Sequence, residues 1–151
     1  MARDWSTIRY FQAGEFQKDP EKIAWPVVEL LDEMRHAAGV KIVIHVAWDD
    51  SGHEAGSAHY TRTTDFATAV DMRFVGWSLL DQWLFAERYP WRGIGIYPYW
   101  RFPGLHLDLR AHGQEHPNLG ARWWRDAHGV YHPPNRQLLT VMMLLAPQEP
   151  R

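Results

Sequence analysis

The sequence predicts an α+β chain folded as a single domain over residues 1–151. One observation is apolar recurrence at helical spacing, as in Val27, Val28, Leu31 and Met34. A second is the strict alternation of Leu105-His106-Leu107-Asp108-Leu109-Arg110, the period of a strand with one buried face. The third is a hydrophobic content of 46% in 151 residues, enough for one core and too much for a disordered chain.

The elements follow in order. Residues 7–16 form an irregular lead-in whose Tyr10, Phe11 and Phe16 are expected to pack on the domain. Asp19-Pro20 offers a capping residue and a proline at a first helical position. The helix carries Val27 to Met34 inward, with Pro26 able to delay its start, and Gly39 stops it. Lys41–Val46 is β-branched and reads as a strand. Residues 48–65 lack periodicity and are rich in Gly, Ser, Asp, His and Thr; irregular loops this long in a small domain are often functional. Residues 67–74 read as a second strand, with Ala69, Asp71 and Arg73 on one face and Val70, Met72 and Phe74 on the other.

Ser78 and Asp81 form a capping pair opening a second helix that ends at Tyr89-Pro90. Residues 92–97, RGIGIY, read as a third strand whose glycines imply close approach by a neighbour or ligand. Pro103-Gly104 turns the chain into the alternating fourth strand. Residues 121–125 are expected to be a short strand or turn, and Asn135 caps a last helix running through Leu145.

Composition excludes several classes. The chain has no cysteine, so disulfides and thiolate-held metals are ruled out, and any zinc must take nitrogen and oxygen ligands. A net charge of −2 gives no electrostatic case for nucleic acid. The opening MARDWSTIRYF lacks the pattern of a signal peptide, and Leu138–Ala146 is too short for a membrane span. The expectation is a soluble monomer made in the cytoplasm. Nine tryptophans and nine histidines are many for this length, but alone they indicate a packed core and exposed loops.

Chemistry concentrates in two segments, Ser57–Asp71 and Gly104–Arg110. The leucine face of the second must enter a core, so His106 and Asp108 project from the other side, as Asp71 does from its own strand. If the strands share a sheet, Asp71 and His106 converge, and the loop can bring His59 over them. Two imidazoles and a carboxylate suit a catalytic zinc with one open position, which acidifies its water and polarises a carbonyl. His53 and Asp65 are rival loop ligands. Asp108 is the first choice for a general base or an orienting carboxylate, with Asp49, Asp50 and Glu54 behind it.

The series Ser-x-His, Ala-Val-Asp, Gly-Ile-Gly-Ile-Tyr-Pro, His-x-Asp-x-Arg and Arg-Trp-Trp resembles the D-alanyl-D-alanine metallopeptidase superfamily. That group includes phage endolysins, murein endopeptidases and the hedgehog signalling domain. The resemblance runs from about Tyr10 to about Tyr131. It implies a hedgehog-like fold with a central antiparallel sheet, helices packed on one side, and one zinc per chain in an open groove. His59, Asp71 and His106 fall on the ligand positions, and Tyr97, Arg110 and Trp123 are candidate substrate contacts.

The sequence departs from that pattern in three places. The His-x-x-Gly-x-Ala-x-Asp spacing is stretched, since His59 and Asp71 lie twelve positions apart (71 − 59 = 12). Pro103 stands where many members carry an acidic base, and Ala47-Trp48-Asp49-Asp50 replaces a Ser-Gly-Tyr-Arg segment. The expected activity is hydrolysis of peptidoglycan stem or cross-link peptides, at the cell wall after release or within a phage or prophage system. The alternative is a peptidoglycan-binding or virion-structural domain that keeps the fold without turnover.

Overall fold

A computed structural model describes residues 3–16, 19–47, 66–109 and 121–145. Its centre is a six-stranded sheet: β1 (Ile42–Val46), β2 (Ala69–Phe74), β3 (Gly93–Tyr97), β4 (Gly104–Asp108), β5 (Arg122–Arg125) and β6 (Tyr131–His132). The strands lie in the order β1-β2-β4-β3-β5-β6. Three helices accompany it, α1 (Trp25–Ala38), α2 (Leu79–Ala86) and α3 (Arg136–Leu144).

The sheet is mixed, which corrects the expectation of an antiparallel one. β3 pairs antiparallel with β4 and parallel with β5. The reason is topological. β3 sits between β4 and β5, so a chain that reverses direction from β4 to β5 must end up running with β3. Residues 121–125 are therefore a paired strand, and β6, which the sequence did not signal, closes the edge as its antiparallel partner.

The Asp19-Pro20 signal also falls elsewhere than expected. Asp19 caps only a 3-10 turn, Pro20–Lys22. The α-helix opens at Trp25 with Pro26 in its first turn, where a proline loses no hydrogen bond. Gly39, at φ 68°, ends it in the left-handed region, its N–H donating to the Arg35 carbonyl. The expected cap of α2 is present, with Ser78 Oγ accepting from the Asp81 N–H at 3.1 Å. Asn135 likewise caps α3 through the Leu138 N–H. Each such cap contributes about 1 kcal/mol.

Strand alternation divides the sheet into two faces. Val70, Met72, Phe74, Leu105, Leu107, Ile94, Ile96 and Trp124 are fully buried in one core with Val27, Val28, Leu31 and Met34 of α1, Leu79 and Ala86 of α2, and Leu138 and Met142 of α3. Truncating one of these, such as Leu31, costs about 2–5 kcal/mol. The lead-in packs here through Phe11 and Phe16, whereas Tyr10 stays exposed and bonds His36 through its hydroxyl. Gln82 is buried and ties three parts together: it accepts from the Phe74 N–H and donates to the Trp77 and Pro103 carbonyls. That fixes α2 between the end of β2 and the β3–β4 turn.

Among the described residues no helix is long and apolar enough to cross a membrane.

Candidate metal centre

The other face of the sheet carries the polar residues. Cross-strand register places Asp71 of β2 directly opposite His106 of β4, and His106 opposite Gly95 of β3. Directly paired side chains start about 5 Å apart, so even a short aspartate reaches the ring. Asp71 Oδ1 stands 3.0 Å from His106 Nδ1. On the ring's other side, Asp108 Oδ2 stands 2.8 Å from Nε2. His106 is 2% exposed and Asp108 4%, while Asp71 reaches the surface.

The glycines of β3 make room for this. A Cβ at Gly93 would lie 2.4 Å from Asp108 Oδ2, and one at Gly95 would lie 2.5 Å from Trp123 Nε1. The close neighbours expected over these glycines are thus the Asp108 carboxylate and the Trp123 indole. Trp123 packs on the His106 ring with centroids 5.3 Å apart. Its Nε1–H donates to the Tyr97 hydroxyl at 3.4 Å. Tyr97 in turn stacks on Trp100, centroids 4.3 Å apart at 11°. A chain of rings therefore runs from the buried imidazole to the surface. Trp123 is buried beside His106. Trp124 points to the core.

Hydrogen counting constrains the triad. An ionised carboxylate only accepts, and a neutral imidazole has one N–H. Both contacts at His106 are satisfied as hydrogen bonds when the ring carries two protons. The alternative is that a cation takes the place of one proton. Two donors each about 2.1 Å from a tetrahedral zinc stand about 3.4 Å apart, close to the Asp71–His106 separation. In that case His106 and Asp71 would hold the ion, and Asp108 would accept from the other ring nitrogen's N–H. A carboxylate in that position fixes the tautomer of a metal-bound histidine. Buried behind the ring, Asp108 is placed to orient His106 rather than to meet a substrate.

The described residues alone do not complete a cage. Among them no group of three or more His, Asp or Glu side chains is arranged to hold a metal ion, because Asp71 and Asp108 meet opposite nitrogens of one ring. A tetrahedral zinc here would need a third ligand from residues other than these. His59, His53 and Asp65, with Asp49, Asp50, Glu54 and Arg110, lie outside the described residues.

A groove of about 420 Å³ opens at Asp71, lined also by His45, Val46, Trp100, Arg101 and Phe102. Sequence reasoning gave His45 no role in a site and passed over the WRF segment. A bulge in β1 explains His45. Pairing runs Ile44↔Met72 and then Val46↔Asp71, so His45 is the extra residue, and bulges re-aim side chains. Its ring meets Trp100 at 5.8 Å and its Nε2 lies 3.3 Å from Arg73 Nη1. The WRF signal was available as two aromatics and a cation between Pro98 and Pro103.

Arg122 acts as a clamp between strand β5 and the end of α2. It pairs with both oxygens of Glu87 and donates to the Trp91, Arg92 and Ala121 carbonyls. Comparison with protein-family models, curated proteins and solved structures gives no match.

Proposed function

We propose that this chain is a zinc-dependent peptidase acting on peptidoglycan stem or cross-link peptides, as an endopeptidase or a D,D-carboxypeptidase. The observation that carries the reading is the buried imidazole of His106 held between two carboxylates, with Asp71 on the solvent side at 3.0 Å and Asp108 behind at 2.8 Å. Asp71 and His106 would hold the ion together with His59 of the preceding loop. Zinc supplies Lewis-acid polarisation of a peptide carbonyl and an acidified water.

The chain's own residues do the rest. Asp108 and the Trp123 ring fix the orientation of His106 and keep water from its inner edge. The groove beside Asp71 gives an extended peptide a place to lie, with Trp100, stacked on Tyr97, in one wall. The substrate class comes from the resemblance of the Ala-Val-Asp, Gly-Ile-Gly-Ile-Tyr-Pro and His-x-Asp-x-Arg segments to the D-alanyl-D-alanine metallopeptidases. Action at the cell wall, after release or within a phage or prophage system, belongs to the same proposal.

A second reading, a peptidoglycan-binding domain without turnover, has one observation in its favour. Each ring nitrogen of His106 already faces a carboxylate oxygen, and a ring carrying two protons would donate to both with no ion required. Incubation with purified peptidoglycan separates the two readings. The peptidase frees new amino groups or D-alanine, stops with a chelator and recovers with zinc. Zinc-loaded protein that binds the wall and releases nothing would leave only the binding domain.

A further inference from the structure

We infer that the groove beside Asp71 is a carboxylate-recognition subsite in which Arg101 holds an anionic group of the peptide next to the bond being cut. The inference rests on the peptidase reading for its location, because Asp71 lines the groove.

Its basis is the arrangement of the β3–β4 turn. Trp100, Arg101 and Phe102 all line the cavity, together with His45, Val46 and Asp71. The two rings are held in place from behind. Trp100 is stacked on Tyr97, and Phe102 lies under the Arg73 guanidinium at 4.3 Å. Arg101 is exposed, its guanidinium 5.4 Å from the Phe102 ring, and it makes no ion pair among the described residues. Its charge is therefore presented at the groove wall on a rigid aromatic base. An arginine so placed offers a planar fork of donors matched to a carboxylate, and stacking on a ring orients the fork without neutralising it.

Polarity within the groove sets the direction in which a peptide lies. On the peptidase reading Asp71 would be engaged with the ion, and Arg101 supplies positive charge on the groove wall. His45, within 3.3 Å of Arg73, adds a polar group to the groove lining beside Trp100. A peptide whose carboxylate lies one residue from its scissile carbonyl can bring that carbonyl beside Asp71 and His106 and its carboxylate to Arg101, with its apolar atoms against Trp100 and Phe102. Two peptide carboxylates share this chemistry: the C-terminal α-carboxylate of a D-alanyl-D-alanine terminus and the free α-carboxylate of a γ-linked D-glutamyl residue.

Isothermal titration of the zinc-supplemented full chain with three peptides tests the inference. They are the stem pentapeptide with both carboxylates free, the same peptide amidated at its C-terminus, and the same peptide amidated at the D-glutamyl α-carboxyl. One of the two amides is expected to bind about tenfold more weakly than the free acid, and which one identifies the carboxylate. Arg101→Gln should bind the free acid about tenfold more weakly and no longer distinguish it from that amide. Its zinc content should match the wild type, because Arg101 is exposed and is not among the residues that would hold the ion.

Equal binding of all three peptides by the wild type overturns the inference. So does discrimination that survives in Arg101→Gln, or failure of all three peptides to bind. Wild-type zinc content and peptide cleavage, measured in parallel, judge the peptidase reading separately. A cleaving enzyme indifferent to Arg101→Gln loses only the subsite. A chain that discriminates the peptides through Arg101 yet neither holds zinc nor cleaves loses only the peptidase.

Discussion

Asp71 and His106 are a directly opposed pair on adjacent antiparallel strands, and their side chains meet at 3.0 Å. They lie thirty-five positions apart in the chain, so the contact is a product of sheet register. A one-residue slip of β2 against β4 would send Asp71 into the leucine core and dismantle the site.

The role of Asp108 yields the first prediction. It contacts the inner nitrogen of His106 and is nearly inaccessible. Asp108→Ala should weaken zinc binding about 10–100-fold, the range expected for an orienting carboxylate, as read by competition with a chromophoric chelator. Unchanged affinity with a large loss of kcat would instead make Asp108 the general base.

Gly93 supplies the second. An added Cβ would fall 2.4 Å from Asp108 Oδ2, so Gly93→Ala must displace that carboxylate. Overpacking of this kind costs about 1–3 kcal/mol. Thermal denaturation should show a lowered midpoint, and zinc affinity should fall as it does in Asp108→Ala. Wild-type affinity in a folded Gly93→Ala protein would show that the carboxylate is not needed where it stands.

Much of this site was legible in the sequence because alternation is a local signal. Leu105, Leu107, Val70 and Met72 identified the buried face, and their neighbours Asp71, His106 and Asp108 followed. Capping by Ser78 and Asn135 and the stop at Gly39 were equally local. Other features depended on tertiary pairing. No residue in Arg122–Arg125 encodes a parallel partner, since β5 takes its direction from the position of β3. His45 owes its place in the groove to a bulge that only the β1–β2 register reveals. Asp19-Pro20 carried a valid capping signal, but Ile23 bridges Ala67 and Pro26 begins the helix proper, leaving it a single turn.

The third prediction concerns pH. The Asp126 carboxyl is held down to about 2 by the hydrogen bond from His132, aided by the Val130 and His128 N–H groups. A carboxyl with a lowered folded pKa stabilises fully above its unfolded value, here 3.8, and loses that contribution as pH falls towards 2. Exchange protection of the Val130 amide should therefore drop between about pH 4 and pH 2. In Asp126→Asn that drop should be absent. The same drop in the variant would assign it to other groups.

The central claim is that Asp71 and His106 share a metal ion, and metal analysis of purified protein tests it most directly. Zinc is expected at one equivalent per chain in the wild type and should be lost in both Asp71→Ala and His106→Ala, each shown by circular dichroism to be folded. A wild-type chain that takes up no zinc when it is supplied, or folded variants that retain a full equivalent, would contradict the account.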